Sequence, residues 1–455
     1  MGMVLKNSEP QLKVSRDWSE VAKVASTGAD RLTYVPGLVG DITEWIVSTS
    51  MLPNRMMAPG VSLAVVGTLI SRKVLGPTSS MTHLYIVLIA PTGDGKYDPM
   101  QRGRDLIAAV VEEDAGLIIG DTKWQSAPGI EKMLDECPVR IAFIDEVGDE
   151  LLKINSQSGN PFVAATSGLL KEIYDARRFI QTGRTKHEMG VTIYDPAYTL
   201  VCAATPAKFW GGFGSGDLES GVMNRYTVLP VVDTNQTKFR IIPYEAMTPP
   251  RWLVEELRKL PRCKISGLSI LDQPIRTKDD QPIIKWSKVD DWIHYGWENQ
   301  QVADIWLAAK EEWRAEKNEK KRLLGKRAAE NAIRNATIIA AGCFRQVILN
   351  QDVAWALALA KQSVDVAYEG VQKFLHTFLF FPEMCQEVYD CIRAKDGFAS
   401  ERDLNRELGR KDRYGQGLLG KALVQLKAEG RIKGPVSRAT GGRPALGYEL
   451  VETGE

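Results

Sequence analysis

The stretch HLYIVLIAPTGDGKYD, residues 83–98, decides how the rest of the chain is read. Its first half, 83–90, is a short, continuous apolar run rich in β-branched residues. That is the pattern of a strand buried on both faces. The run leads straight into a turn with two glycines and a lysine, which nearly matches the phosphate-binding pattern G-x-x-x-x-G-K-[ST]. Gly95 and Lys96 are in register, but Ala90 stands where the first glycine belongs, and Tyr97 stands where Ser or Thr would hold a metal ion. A phosphate cradle needs inward backbone N–H groups, a helix N-terminus for the anion and a lysine for the outer phosphate oxygens. Pro91, Thr92, Gly93, Asp94, Gly95, Lys96 and Tyr97 supply such a loop, and MQRGRDLIAAVVEED (100–114) reads as the helix behind it. Ala90 costs little if its position needs no positive φ. Asp98 is placed to reach a metal ion through water. The plain alternative is a tight strand-to-helix turn with a chance lysine.

Three more segments extend the pattern. VRIAFIDEV (139–147) is a second buried strand, ending in Asp145 and Glu146 about 50 residues after the loop. Two adjacent acids at a strand end suit a pair of roles: Asp145 holds Mg²⁺, and Glu146 orients and deprotonates water. PAYTLVCAATP (196–206) is a third strand, with Thr205 at its tip, and NRYTVLPVV (224–232) is a fourth, preceded by Arg225 at a helix-to-strand junction. Thr205 is a candidate for holding water or a phosphate, against a simple strand-ending threonine. Arg225 is a candidate for stabilising phosphate charge on a neighbouring subunit, against a surface arginine. Strands alternating with helices predict an α/β fold, a parallel sheet with helices on both faces. Between the second and third strands, RRFIQTGRTKHEMGVTIYD (177–195) reads as a β-hairpin with a basic tip at Arg184, Lys186 and His187.

Composition narrows the classes. The chain has 455 residues, room for two or three domains, with 44% hydrophobic and 25% charged residues, as in ordinary globular proteins. The formal net charge is only +1, so a nucleic-acid surface must be a local patch. The six cysteines show no C-x-x-C pairing and there are four histidines, which argues against structural zinc and for a reducing compartment. The longest apolar runs are too short to span a bilayer, and the N-terminus lacks the apolar core of a signal peptide. The expectation is a cytoplasmic protein without membrane partners. Its segments read as an N-terminal arm (1–35), a helical region (36–80), an α/β core (81–250), a Pro-rich connector (251–284), a helical segment (285–380) and a terminal domain (381–455).

That last segment has its own pattern. FASERDLNRELG and GQGLLGKALVQLKAEGRIKG look like a helix–turn–helix pair, and GPVSRATGGRPALGYEL like a wing carrying Arg438 and Arg443. From Arg402 to Arg443 there are eleven Lys/Arg against four Asp/Glu, which suits phosphate contacts. Winged helices also serve as protein-contact modules. By contrast EEWRAEKNEKKRLLGKR (311–327) mixes signs and reads as a solvated helix rather than a nucleic-acid surface.

Taken in order, the loop, the strand ending in two acids, CAATP and NRY resemble an AAA+ ATPase of the helicase branch. RAAENAIRNA (327–336) resembles the lid helix of minichromosome-maintenance helicases, which reads R-x-x-E-x-x-x-R, and NQDVAWALALAKQSV resembles the helix after it. GLVGDITEWI and the variant loop APTGDGK further resemble phage- and prophage-encoded replication ATPases, relatives of primase–helicases. The resemblance covers roughly 36–380. It implies a P-loop NTPase core of three layers, αβα, with a helical lid and a C-terminal winged helix. It implies ATP and Mg²⁺ as cofactors, Arg327 reaching the γ-phosphate, and a pore hairpin gripping DNA. It also implies a homo-oligomer, a hexameric ring hydrolysing ATP at subunit interfaces as a helicase or translocase of phage or mobile-element replication in the bacterial cytosol. The alternative is a nucleotide-switched DNA-binding initiator or helicase loader with little hydrolysis.

Overall fold

The computed structural model describes residues 17–19, 21, 28–123, 126–155, 161–175, 179–181, 192–213, 221–230, 238–262, 275–276, 282–283, 288–408, 418–438 and 444–451. The chain divides into two compact units, Met1–Glu369 and Gly370–Glu455.

The first unit is built on a four-stranded parallel sheet. Its strands are β1 (Tyr85–Ile89), β2 (Val139–Ile144), β3 (Ala197–Ala204) and β4 (Tyr226–Pro230), in spatial order β2-β3-β1-β4. Each is the strand expected from its apolar run, and β1, β2 and β3 are buried along their whole length. Register fixes the ends: Ile89 lies beside Ala204 and Pro230, and Ile144 beside Cys202. All four carboxyl ends therefore open on one edge, where ligands bind in open parallel sheets.

Helices cover both faces, as the alternation of elements predicts. On the Ile86 face lies α2 (Ala58–Leu69), buried at every position. A Cβ at Gly60 would come within 2.2 Å of the Leu229 side chain and 3.1 Å of Ile86, so the glycine lets the helix lie directly on the sheet. Around α2 pack α1 (Gly37–Thr49) and α3 (Tyr97–Val111). On the opposite face lies α4 (Pro161–Asp175); the Tyr85 hydroxyl donates to the Leu170 carbonyl at 2.8 Å, and the Tyr85 and Tyr174 rings meet at 4.8 Å.

The helical segment after the connector contains α5 (Gln300–Ala315), α6 (Glu319–Gly325) and α7 (Ala328–Gly342). Helix α7 is buried at all positions but Glu330, and packs on α1 and α2. It is therefore part of the first unit's core. The connector holds more structure than its prolines suggest. Helix Arg251–Arg258 follows Pro250, buries Leu253, Val254 and Leu257, and donates from Arg258 to the Ala109 carbonyl of α3 at 2.8 Å. Most of the expected N-terminal arm lies outside the described residues, but the Trp18 indole donates to Asp352 at 2.9 Å. Helix α8 (Asn350–Arg393) carries the chain from the first unit to the second.

The second unit has its own core, formed by Val388, Ile392, Leu404, Leu408, Ala422, Leu426 and Ile432 among others. Helix Glu401–Glu407 begins with a reciprocal cap between Ser400 and Asp403, which satisfies two backbone donors at the helix start. Helix Leu418–Ala428 follows. Strands Ile432–Arg438 and Ala445–Leu450 pair antiparallel, with Phe398–Ser400 on the outer side of the latter. Two helices and a hairpin stand where the sequence predicts them. Among the described residues no helix is long and apolar enough to cross a membrane.

Candidate functional site

The glycine loop leaves β1 at its carboxyl end. Gly93 and Gly95 take φ of +90° and +75°, conformations that side chains strain. Gly95 is doubly constrained, because a Cβ there would lie 2.6 Å from the Leu52 carbonyl oxygen. Pro91, Thr92 and Gly93 are exposed, with Asp94 half-buried beside them. Lys96 caps α3 and is itself buried; its ammonium curls back to donate to the carbonyls of Ala90 at 2.7 Å and Pro91 at 3.1 Å. Desolvation pulls its pKa down, while the carboxylates of Glu146, Asp145 and Asp94 push it up. This is an ammonium held in a turn of carbonyls, whose donors can exchange those oxygens for phosphate oxygens.

The two residues that follow Lys96 are both engaged outside the glycine loop. Tyr97 is 67% exposed and its hydroxyl lies 3.2 Å from Gln101, one turn along α3. It points outward, away from the loop. Asp98 has a bond of its own: its Oδ2 accepts the Met51 N–H at 2.7 Å, tying the start of α3 to the α1–α2 connection. That bond occupies one of the two oxygens of the carboxylate expected to reach a metal ion through water.

Asp145 and Glu146 follow β2 on the same edge. Asp145 is exposed and accepts the Glu146 N–H at 3.0 Å. Glu146 itself adopts φ +54°, a sparsely populated conformation for a side-chain-bearing residue and of the kind found at functional sites. A single exposed carboxylate suits Mg²⁺, which is held through one or two carboxylates, phosphate oxygens and water. The residues present therefore fit a metal–nucleotide pair held by Lys96 and Asp145.

One cation the sequence reading missed completes this edge. Thr205 directly follows β3, which lies between β1 and β2, and caps helix Pro206–Gly211. The third residue of that helix, Lys208, lies 3.4 Å from Glu146 and 3.0 Å from Asp149. The bond to Asp149 and the contact with Glu146 raise its pKa. The close approach depends on glycine: a Cβ at Gly148 would sit 2.6 Å from the Lys208 carbonyl, and one at Gly212 would sit 2.7 Å from Leu151. The signal available in the sequence was the pair Gly148 and Gly212, small residues in helix Val147–Asn155 and at the end of helix Pro206–Gly211.

The two candidate arginines lie elsewhere. Arg225 immediately precedes β4 and Tyr226 pairs with Tyr85, so Arg225 stands at the amino end of the sheet. It is buried and pairs with Asp175, the last residue of α4. Arg327 reaches both oxygens of the same carboxylate at 2.7 Å. Asp175, Arg327, Glu330 and Arg334 line a cleft of about 220 Å³ with Ser79, Ser80 and Met81. Thus the R-x-x-E-x-x-x-R side chains converge with Arg225, but on the edge opposite the glycine loop. The five-residue β1 separates the two edges, a span of roughly 13–17 Å. Arg327 is therefore not beside the loop of its own chain. Asp175, which joins the two arginines, carried no signal in the sequence beyond its acidity.

Of the candidate DNA-contacting residues, Arg184, Lys186 and His187 lie outside the described residues, as does Arg443. The base of the expected hairpin is described: Phe179–Gln181 pairs antiparallel with Thr192–Tyr194. Arg438 ends strand Ile432–Arg438, exposed, its guanidinium 5.5 Å over the Phe398 ring. No family model matches this chain, and no curated protein matches it.

Proposed function

We propose that the chain is a P-loop ATPase of AAA+ type that works as an oligomer on DNA. The observation that carries the reading is the division of charge between two edges of one sheet. Lys96, Asp145, Glu146 and Thr205 gather at the carboxyl edge, while Arg225 and Arg327 gather at the amino edge. In this reading the loop and Lys96 bind the phosphates of ATP, and Asp145 holds Mg²⁺, which neutralises phosphate charge when bound. Glu146 orients and deprotonates water, and Thr205 positions it. Arg225 and Arg327 act on a nucleotide bound by a neighbouring copy, since their own loop is a strand's length away. A ring, a hexamer by resemblance, provides that neighbour for each subunit. The expected hairpin with its basic residues Arg184, Lys186 and His187, and the second unit, read as a winged helix with Arg438 and Arg443, contact DNA. The setting is replication of a phage or mobile element in the bacterial cytosol.

A second reading rests on Tyr97. A hydrolase of this type uses a Ser or Thr hydroxyl on the metal, and here an outward tyrosine stands instead. That favours a nucleotide-switched initiator or loader with little turnover. Multiple-turnover phosphate release, measured with and without single-stranded DNA, separates the two. Stimulated turnover supports the motor, and tight ATP binding with less than one turnover supports the switch.

A further inference from the structure

The segment 311–327 alternates charges along the chain, yet folding gathers several of its cations around one cleft. The chain breaks between α5 and α6 at residues 316–318, where the Asn318 side chain accepts the Lys321 N–H at 3.0 Å and starts α6. The turn brings the end of α5 against α6 and α7. Between them lies a cleft of about 360 Å³ lined by Lys310, Trp313, Arg314, Arg322, Gly325, Lys326 and Ala329. That lining holds four cations, one indole and no carboxylate. Two of the four cations have carboxylate partners on their own helices, Arg314 with Glu311 at 2.9 Å and Arg322 with Glu319 at 3.9 Å, while Glu316 accepts the Asn318 N–H at 2.9 Å. Lys326 has no carboxylate partner among the described residues.

The indole is built in rather than incidental. A Cβ at Gly325 would fall 2.3 Å from Cε3 of Trp313, so only glycine lets the ring lie against the α6 backbone. Trp313 is half-buried and fixed while still lining the opening. A concave group of cations concentrates anions. An aromatic face among cations adds stacking for a base, the pairing of features by which proteins hold single strands. The volume is that of a small-ligand pocket, sized for one unpaired nucleotide unit rather than a duplex.

We propose that this cleft binds single-stranded nucleic acid, one base stacking on Trp313 and the flanking phosphates meeting Lys310, Arg314, Arg322 and Lys326. The site also has a route to the arginines of the amino edge. Arg327 directly follows Lys326, and Asn224, beside Arg225, donates to the Leu323 carbonyl of α6 at 3.1 Å. Nucleic-acid binding here stands without any nucleotide hydrolysis; only this coupling to Arg225 and Arg327 rests on the ATPase reading.

The test uses the full chain and a labelled oligo-dT, with fluorescence anisotropy across about 50–200 mM salt. The double variant Lys310→Gln, Lys326→Gln changes exposed side chains, and its melting curve checks the fold. It is expected to bind about tenfold more weakly, with the salt slope reduced by roughly 1.4, about 0.7 per lost phosphate contact on a single strand. Wild-type chain irradiated with 5-iodouracil-substituted oligonucleotide is expected to cross-link at Trp313, which needs no substitution there. Unchanged affinity and slope in the double variant overturn the proposal, as do cross-links confined to residues outside 306–329. Displacement of the oligonucleotide by dTMP at equal concentration also overturns it, making the cleft a mononucleotide site. None of these outcomes depends on ATP turnover, so failure here is distinct from failure of the ATPase reading.

Discussion

Nζ of Lys208 lies 3.4 Å from Oε2 of Glu146, an ion pair that holds the proposed general base. The ammonium occupies one oxygen of the carboxylate that the ATPase reading turns toward water. The pair is thus a resting arrangement that must open for Glu146 to take a proton. Lys208→Met is expected to raise basal ATP turnover about threefold to tenfold, with KM for ATP little changed. Steady-state phosphate release reads this. A fall in kcat instead identifies Lys208 as a positioning residue that aims Glu146.

Lys96 and Glu146 are expected to fail in different ways. Lys96→Ala removes the buried ammonium and should abolish ATP binding, measured by equilibrium binding of a labelled analogue. Glu146→Gln keeps the shape and removes the base; binding should survive while turnover drops by on the order of 10²–10⁴. Unchanged turnover in Glu146→Gln removes it from the role of base.

Arg225 and Arg327 share one carboxylate at the amino edge, and the ATPase reading has them work on a neighbour. Mixing Arg225→Ala with Lys96→Ala protein is then expected to restore part of the lost turnover, because some interfaces combine an intact loop with an intact arginine. Absence of recovery at every ratio, in assemblies shown to exchange subunits, rules out action in trans. Asp175→Asn leaves both guanidinium groups without their carboxylate. It is expected to destabilise the first unit by about 1–3 kcal/mol, seen as a lower thermal midpoint.

Tyr97 tests the metal. Its hydroxyl is 3.2 Å from Gln101 and its ring is exposed, so it supplies no ligand at the loop. Tyr97→Thr is expected to lower the Mg²⁺ concentration giving half-maximal turnover. No change in that concentration would falsify the assignment of position 97 to the metal.

His83 gives a pH signature. It is fully buried, and desolvation, reinforced by Arg334, holds its pKa well below the usual histidine value. Below the unfolded-state value of about 6.5, the unfolded chain binds the proton that the folded chain refuses. Stability from this group is therefore complete above that pH and falls as pH drops toward the folded-state pKa, by up to about 1.4 kcal/mol per unit. Thermal midpoints measured from about pH 7 to pH 5 should decline less steeply in His83→Gln than in the native chain.

What the sequence determined by itself was local. Each buried strand announced itself as a short apolar run, and the residues at its end followed from where the run stopped: Lys96 after β1, Asp145 and Glu146 after β2, Thr205 after β3. The parallel α/β arrangement followed from alternation alone, because consecutive parallel strands need helical crossovers. Strand order did not follow, nor did the edge on which a residue falls relative to another element. Arg327 looked like a partner for phosphate because its motif spacing is local; only the register of Tyr226 beside Tyr85 put Arg225 and Arg327 at the opposite edge, joined through Asp175 from 152 positions before Arg327. Lys208 met Glu146 because Gly148 and Gly212 let two helices touch. Trp313 and Arg314 came to line one cleft with Arg322 and Lys326 only when the chain turned at Asn318 and brought α5 against α6. In each case the deciding contact joins residues from different elements. Side-chain periodicity reports which face of one element is buried, and carries no information about which other element covers it.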